Sequence, residues 1–317
     1  MQRAHIIGTG SSIPERILSN KDLESIVNTS DEWIVRRTGI RERRISSNGR
    51  DESTTDLATR ASVNAMKMAG ISPSSLDMIV VGTVTPDRQF PSAACMIQKA
   101  LNAENAAAFD LSAGCSGFLY ALTMVNNAIR AGMCKTALVV GVERLSSIIN
   151  WQDRGTCVLL ADGAGAVVVD STEEHHGILS THLKSDGTFW ELLYSLDGNS
   201  YVPEILQDVN KRPFHLKMDG NRLFKRAIGC MAEISREALE HNSLCSHDID
   251  LVIPHQANIR IIKSLANNLR IPMERVYTNI HKYGNTSSAT IPIALDEANR
   301  DGRLTKGAHE LLVSYGA

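Results

Sequence analysis

Apolar residues along the 317-residue chain fall into two recurring patterns. Short unbroken runs read as strands covered on both faces: Met78-Ile79-Val80-Val81-Gly82, Thr136 to Val142, Asp250-Leu251-Val252-Ile253-Pro254 and Leu311-Leu312-Val313. His5-Ile6-Ile7 is a further strand. Between these runs the apolar positions recur every three or four residues, which predicts helices. Leu57, Ala61, Ala65 and Met68 mark one over 54–69, and Phe118, Leu122, Val125 and Ile129 mark another. Leu223 to Leu239, Ala257 to Leu269 and Ile291 to Ala298 follow the same period. Buried strands alternating with helices give an α/β fold with helices covering the sheets. Weaker signals predict a short helix over 18–27 with Asn20 as its cap, a Thr29/Glu32 capping box before a helix closed by Gly39, and a helix from Pro91 to Leu101 opened by its proline. Cys157 to Val169 reads as two strands around an Asp162-Gly163 turn. Residues 173–216 read as a strand with long loops, a lid or an interface.

The layout repeats. Leu76 to Val81 and Ile249 to Ile253 each form a strand followed by a loop and a helix. Further on, Gly114-Cys115 precedes a helix closed by Ala131-Gly132, and Gly284-Asn285 precedes a helix closed by Asp301-Gly302. The chain therefore reads as duplicated β-α-β-α-β units, with halves at 1–172 and 173–317. Cys115 and Asn285 fall at equivalent turns, and His255 directly follows a strand. Loops at the C-terminal ends of such strands are where α/β folds hold ligands.

The small residues Ser112, Ala113, Gly114, Ser116 and Gly117 surround Cys115 at a strand-to-helix turn. A helix N-terminus favours negative charge and lowers a thiol's pKa, so this turn suits a nucleophile. The plainer alternative is a buried structural cysteine. His255 can move a proton or donate to an oxyanion, and the Asn285 amide can donate without changing charge. Cys, His and Asn in this order also occur in papain-like cysteine proteases, but the CG[SA]C[WY] signature of that family is absent. Gly8 and Gly10 suggest a dinucleotide fingerprint whose third glycine is missing, Ile13-Pro14 standing in its place. Trp33 and Arg37 share a helix face and could stack a base and hold phosphate; alternatively Trp33 packs in the core.

Composition narrows these options. The net charge of −2 leaves no electrostatic footprint for nucleic acid. No apolar run approaches the ~18 residues of a membrane span. No signal-peptide core opens the chain, which predicts a cytoplasmic protein. Six cysteines lie scattered, without CxxC or metal-ligand spacing, so they read as reduced thiols with no metal site.

Several segments together resemble the β-ketoacyl-acyl-carrier-protein synthase III family, the initiating condensing enzymes of bacterial fatty-acid synthesis. They are Thr29-Ser30-Asp31-Glu32-Trp33-Ile34, Arg37-Thr38-Gly39-Ile40, Phe90-Pro91-Ser92-Ala93-Ala94-Cys95, Gly114-Cys115-Ser116-Gly117-Phe118, Asp153-Arg154-Gly155-Thr156, Asp162-Gly163-Ala164-Gly165-Ala166, Pro254-His255-Gln256-Ala257-Asn258 and Gly284-Asn285-Thr286-Ser287. The resemblance implies a duplicated five-layer α-β-α-β-α thiolase-like fold and a homodimer. It implies that Cys115 accepts an acyl group from acyl-CoA, that His255 and Asn285 stabilise the enolate formed from malonyl-acyl carrier protein (ACP), and that no cofactor is required. It places CoA on Thr29, Trp33, Arg37, Arg154, Asn221 and Asn258. Carrier-protein docking falls on Gln256, Ala257, Asn258, Ile259, Arg260 and Lys225. Phe90 reaches the partner's acyl pocket, and the backbone amides of Cys115 and Ala317 form the oxyanion hole. Type III polyketide synthases share Cys-His-Asn and are the nearest alternative enzyme; a non-enzymatic binding module with an inert Cys115 is the alternative outside enzymes. Two departures stand out. Ala266-Asn267-Asn268-Leu269 replaces a stretch that is lysine-bearing in many relatives, which shifts the docking surface toward Lys263. Relatives also continue past the position of Ala317 through one more strand.

Overall fold

The computed structural model describes residues 2–47, 52–195 and 216–316. Its N-terminal half is built on a five-stranded sheet in the order Arg3–Ser12, Asp162–Thr172, Thr136–Arg144, Met78–Gly82, Ala107–Leu111. The last three strands run parallel to one another, and Asp162–Thr172 is antiparallel to both of its neighbours. Apolar runs such as Ile79-Val80-Val81 and Ala137 to Val140 are fully buried because helices cover both faces.

Five layers follow from this packing. Helices Thr54–Ala69 and Ala93–Leu101 lie on the outer face of the sheet, enclosing a core that includes Leu57, Ala61, Ile79, Ile97 and Val140. Helices Gly117–Arg130 and Thr290–Arg300 lie on the inner face, and Phe118, Val125, Ile291 and Leu295 pack there against Val80 and Val139. On the far side of this helical layer the strands Leu251–Pro254 and Glu310–Val313 pair in parallel. Helices Gly220–His241 and Ile259–Leu269 close the outside through Met231, Ile262 and Leu265. Beside Glu310–Val313 a cavity of about 920 Å³ is walled by residues 177–184.

The helix ends distinguish the layers. The outer helices are capped by side chains: Ser53 accepts from the Asp56 amide, Ser92 from Cys95, Asp219 from Arg222 and Asn258 from Arg260. The two inner helices begin after the single-turn segments Gly114–Ser116 and Ser287–Ala289, and neither has a side-chain cap. These are the turns that carry Cys115 and lie next to Asn285, so the duplicated pattern ends in duplicated geometry.

The structure departs from the local sequence signals in several places. Asp162–Thr172 is one strand, and Arg154–Cys157 is a short helix, so Asp162-Gly163 makes no hairpin. Tertiary contacts override the turn signal: the Asp162 carboxylate is buried, accepting from the backbone amides of Ser46 and Ser146. Ser19 rather than Asn20 caps the short helix Asn20–Glu24, and Ser30 rather than Thr29 caps Asp31–Thr38. The helix expected from Pro91 begins at Ala93, behind a cis Phe90-Pro91 bond. Gly8 and Gly10 are packing glycines. A Cβ on either would lie 2.4 Å or closer to backbone atoms of helix Thr54–Ala69, so the absence of side chains lets strand and helix touch. Residues 196–215 of the expected lid and Ala317 of the expected oxyanion hole lie outside the described residues.

Candidate active site

Cys115, His255 and Asn285 line one cavity of about 960 Å³, together with Asn258, Ser287 and Gly316. Two strand ends deliver Cys115 and His255, and Asn285 follows the helical turn Ile280–Tyr283. Cys115 follows Ala107–Leu111 through Gly114, whose φ of 51° gives the left-handed bend the turn needs. A close approach of Gly82 and Gly117 seats the helix start: a Cβ on Gly82 would meet the Gly117 carbonyl carbon at 2.5 Å. His255 follows Leu251–Pro254, and its amide donates to the Val313 carbonyl at 2.8 Å. Asn285 is anchored to the other half of the molecule, its N–H donating to Leu159 and its carbonyl accepting from the Ala161 amide, both at 2.9 Å.

Burial and hydrogen bonds set the protonation of each group. The His255 ring is 3% exposed, and desolvation pushes its pKa down to about 4, so the imidazole is neutral near pH 7. Its Nδ1 lies 2.6 Å from the Thr290 hydroxyl. That hydroxyl has one proton and two acceptors in reach, Nδ1 and the Ser287 carbonyl at 3.0 Å. Where that proton goes to Nδ1, the ring carries its own on Nε2 and His255 is a neutral donor there. The Asn285 Oδ1 accepts from the Ser287 amide at 2.8 Å, committing the oxygen inside its own turn and leaving the NH₂ end to donate. For Cys115 the expectation of a lowered pKa is overturned. Burial pushes the thiol up to about 11, and the nearby Ser287 hydroxyl offsets this only in part.

Residues 314–316 close the site. The Ser314 hydroxyl donates to the Cys115 carbonyl at 2.9 Å, and a Cβ on Gly316 would stand 2.7 Å from the Cys115 amide nitrogen. Only a glycine there keeps that amide accessible to a substrate oxygen.

Known proteins resemble this chain along nearly its whole length. The family model described as 3-oxoacyl-[acyl-carrier-protein (ACP)] synthase III matches residues 109–187, and the model of its C-terminal part matches 239–317. The β-ketoacyl-[acyl-carrier-protein] synthase III of Caldanaerobacter subterraneus subsp. tengcongensis is 50% identical over 99% of this chain and 94% of its own. That of Thioalkalivibrio sulfidiphilus is 49% identical over 100% and 96%. The crystal structure of the Aquifex aeolicus 3-oxoacyl-[acyl-carrier-protein] synthase III superposes with a TM-score of 0.92 at 46% identity, covering 99% of this chain and 96% of that one.

The chain belongs to the 3-oxoacyl-[acyl-carrier-protein] synthase III family. It is a condensing acyltransferase of fatty-acid initiation, with the duplicated five-layer fold of that family. Identity near one half over the whole chain disfavours the polyketide-synthase, hydrolase and binding-module readings. Within this synthase III fold, other expected residues fall into groups. Trp33 meets two guanidinium groups, Arg154 at 4.6 Å and Arg37 at 5.6 Å from the ring centroid. Thr29 is half-buried nearby in sequence, and its hydroxyl is unpartnered. Ala257 and Asn258 line the cavity, whereas Asn221 is exposed at the start of Gly220–His241 and does not line it. Arg260 and Lys225 are exposed, with Arg260 5.0 Å over Phe224, and Ile259 packs partly buried against a core cluster. Gln256 is buried; its NH₂ donates to the Pro254 and Tyr277 carbonyls and its oxygen accepts from the Asn279 amide. It therefore braces the His255 loop from within and presents nothing to a docking partner. Phe90 is 83% exposed. Sequence reasoning missed Thr290, Ser287 and Gly316, because a serine, threonine or glycine has no signature until its neighbours are known.

Proposed function

We propose that the chain transfers an acyl group from acyl-CoA, with acetyl-CoA as starter, to Cys115 and condenses it with malonyl-ACP to give 3-oxoacyl-ACP, CoA and CO₂. The observation that supports this most is the convergence of Cys115, neutral His255 and Asn285 on one cavity. Cys115 attacks the thioester carbonyl, and CoA leaves. Malonyl-ACP then binds with its thioester oxygen facing His255 Nε2–H and the Asn285 amide. As the carboxylate departs as CO₂, the C–C electron pair becomes an enolate held by these two donors. The enolate carbon attacks the acyl-Cys carbonyl, and the Cys115 thiolate leaves. A neutral imidazole suits this role because it stabilises the enolate oxygen without readily protonating it. No step calls for a metal or cofactor.

The Trp33, Arg154 and Arg37 cluster, with Thr29, supports a site for the adenine and phosphates of CoA. Asn258, which lines the cavity, would lie along the pantetheine arm. Exposed Arg260 and Lys225, with Ala257 and Ile259 beside them, offer basic docking for an acidic carrier protein. The exposed Phe90 side chain supports a homodimer in which it is covered by a second copy. Among the described residues no helix is long and apolar enough to cross a membrane, consistent with a cytoplasmic enzyme.

Intact-protein mass after mixing with acetyl-CoA tests the scheme. The expected result is one acetyl adduct, absent in Cys115→Ala and discharged by malonyl-ACP. Discharge by malonyl-CoA alone, repeatedly, would instead indicate a polyketide synthase.

A further inference from the structure

One buried carboxylate beside the nucleophile has no part in the scheme above. Glu143, near the end of strand Thr136–Arg144, is 0% exposed. Two segments hold it, and a third lies beside them. The loop after Met78–Gly82 supplies the Thr85 hydroxyl at 2.5 Å, the Val84 amide at 3.2 Å and the Thr83 hydroxyl at 3.4 Å. The turn after Asn285 supplies the hydroxyls of Ser288 at 3.1 Å and Ser287 at 3.5 Å. The third is the Cys115 turn, which packs against the Ser287–Ala289 turn so that Cys115 and Ser287 line the same cavity. Ser287 holds this position with a φ of 50°, a left-handed conformation uncommon for a residue with a side chain. The titratable group facing Glu143 is Cys115 across Ser287; the other groups bonded to it are hydroxyls and an amide.

The reaction creates a need at this spot. The thiol is protonated in the resting enzyme and must lose its proton to attack. With its own proton on Nε2 and Nδ1 against the Thr290 hydroxyl, the His255 ring has no free acceptor for it. We propose that Glu143 accepts the Cys115 proton through the Ser287 hydroxyl during acyl transfer. The Sγ–H bond breaks and its proton passes to Ser287 Oγ, while the Ser287 proton passes to Glu143 Oε1. The sulfur attacks the thioester carbonyl, and the C–S bond to CoA breaks. The proton returns by the same path to the departing CoA thiolate, so thiol and acyl-CoA give acyl-Cys and free CoA with no net proton change. Glu143 touches no substrate and acts through Ser287. The 3.5 Å step is long in the ligand-free chain, as such contacts commonly are before substrate closes a site. Burial independently raises the carboxyl to about 7, in the range where it can both take and return a proton.

This inference rests on the acyl-transfer reading above. Its test is the pH profile of single-turnover acetylation by acetyl-CoA, with iodoacetamide alkylation of Cys115 as a probe that needs no correct starter. In the wild type the rate should rise with a midpoint near 7 and then level. In Glu143→Gln the levelling should vanish, leaving a rate at least tenfold lower at pH 7 that climbs tenfold per pH unit; Glu143→Asp should regain part of the plateau. Ser287→Gly, which suits the positive φ and removes only the hydroxyl, should behave as Glu143→Gln does, and it carries the test if Glu143→Gln does not fold. An unchanged profile shape in folded variants, even with a uniformly lower rate, would overturn the proposal. Failure of acetylation in the wild type would sink the acyl-transfer reading, while the alkylation profile would still decide the relay.

Discussion

Thr290 Oγ1 lies 2.6 Å from His255 Nδ1, and both residues are buried. With no carboxylate on that nitrogen, a single hydroxyl proton decides whether Nε2 carries a hydrogen. Thr290→Val should therefore impair decarboxylation of malonyl-ACP by about 10- to 100-fold, the range typical of losing a buried partner that orients a working histidine. Acetylation of Cys115 should change little, and Thr290→Ser should recover most of the loss. Separate assays of the two half-reactions, with ¹⁵N shifts of the His255 ring, check this; equal losses in both half-reactions would count against tautomer control.

Arg154 stacks 4.6 Å over Trp33 although 121 positions separate them in the chain. Trp33→Ala should raise the KM for acyl-CoA about two- to thirty-fold, the span that a cation–π contact supplies. The KM for malonyl-ACP should stay put. Steady-state kinetics with each substrate varied in turn distinguishes this from general damage.

A methyl group on Gly316 would cover the Cys115 amide at 2.7 Å and the Ser116 amide at 2.9 Å. If the Cys115 amide holds the thioester oxygen, Gly316→Ala should lower kcat by about 10²–10³, the usual cost of one oxyanion donor. The overlap is with backbone, so some loss of thermal stability is expected too, and kcat is compared in the folded fraction to separate blockage from misfolding.

Glu143 also links stability to pH. Its folded pKa is raised from 4.5 to about 7, so its contribution is fully present below the unfolded value and is lost as pH rises through 7. Between pH 5 and 8 the wild type should therefore lose up to about 3 kcal/mol relative to Glu143→Gln. Denaturant unfolding at both pH values measures the difference. A gap that stays constant would mean the carboxyl titrates alike folded and unfolded.

At Gly10 an added Cβ would stand 2.3 Å from the Ala65 backbone nitrogen. Gly10→Ala should destabilise the fold by roughly 1–3 kcal/mol, as overpacking does, with the catalytic half-reactions intact in the folded fraction. A change in chemistry with full stability would instead point to a ligand role for the Gly-Thr-Gly turn.

The sequence by itself determined the parts governed by local period and chain order. Apolar runs such as Ile79-Val80-Val81 marked buried strands, and Phe118, Leu122, Val125 and Ile129 marked a helix, because one face of each must leave water. The paired Gly-Cys and Gly-Asn turns exposed the duplication and the Cys115–Asn285 correspondence. The tertiary structure alone decided what depends on distant neighbours. It made Asp162–Thr172 a single strand where a turn signal predicted two. It turned Gln256 inward by offering it two carbonyls and an amide. It brought Thr290 to His255 and Ser287 to Glu143, 144 residues away in the chain. A hydroxyl or a carboxylate carries no periodicity, so its partner and its proton affinity are fixed only when folding sets the surrounding dielectric and the donors within reach.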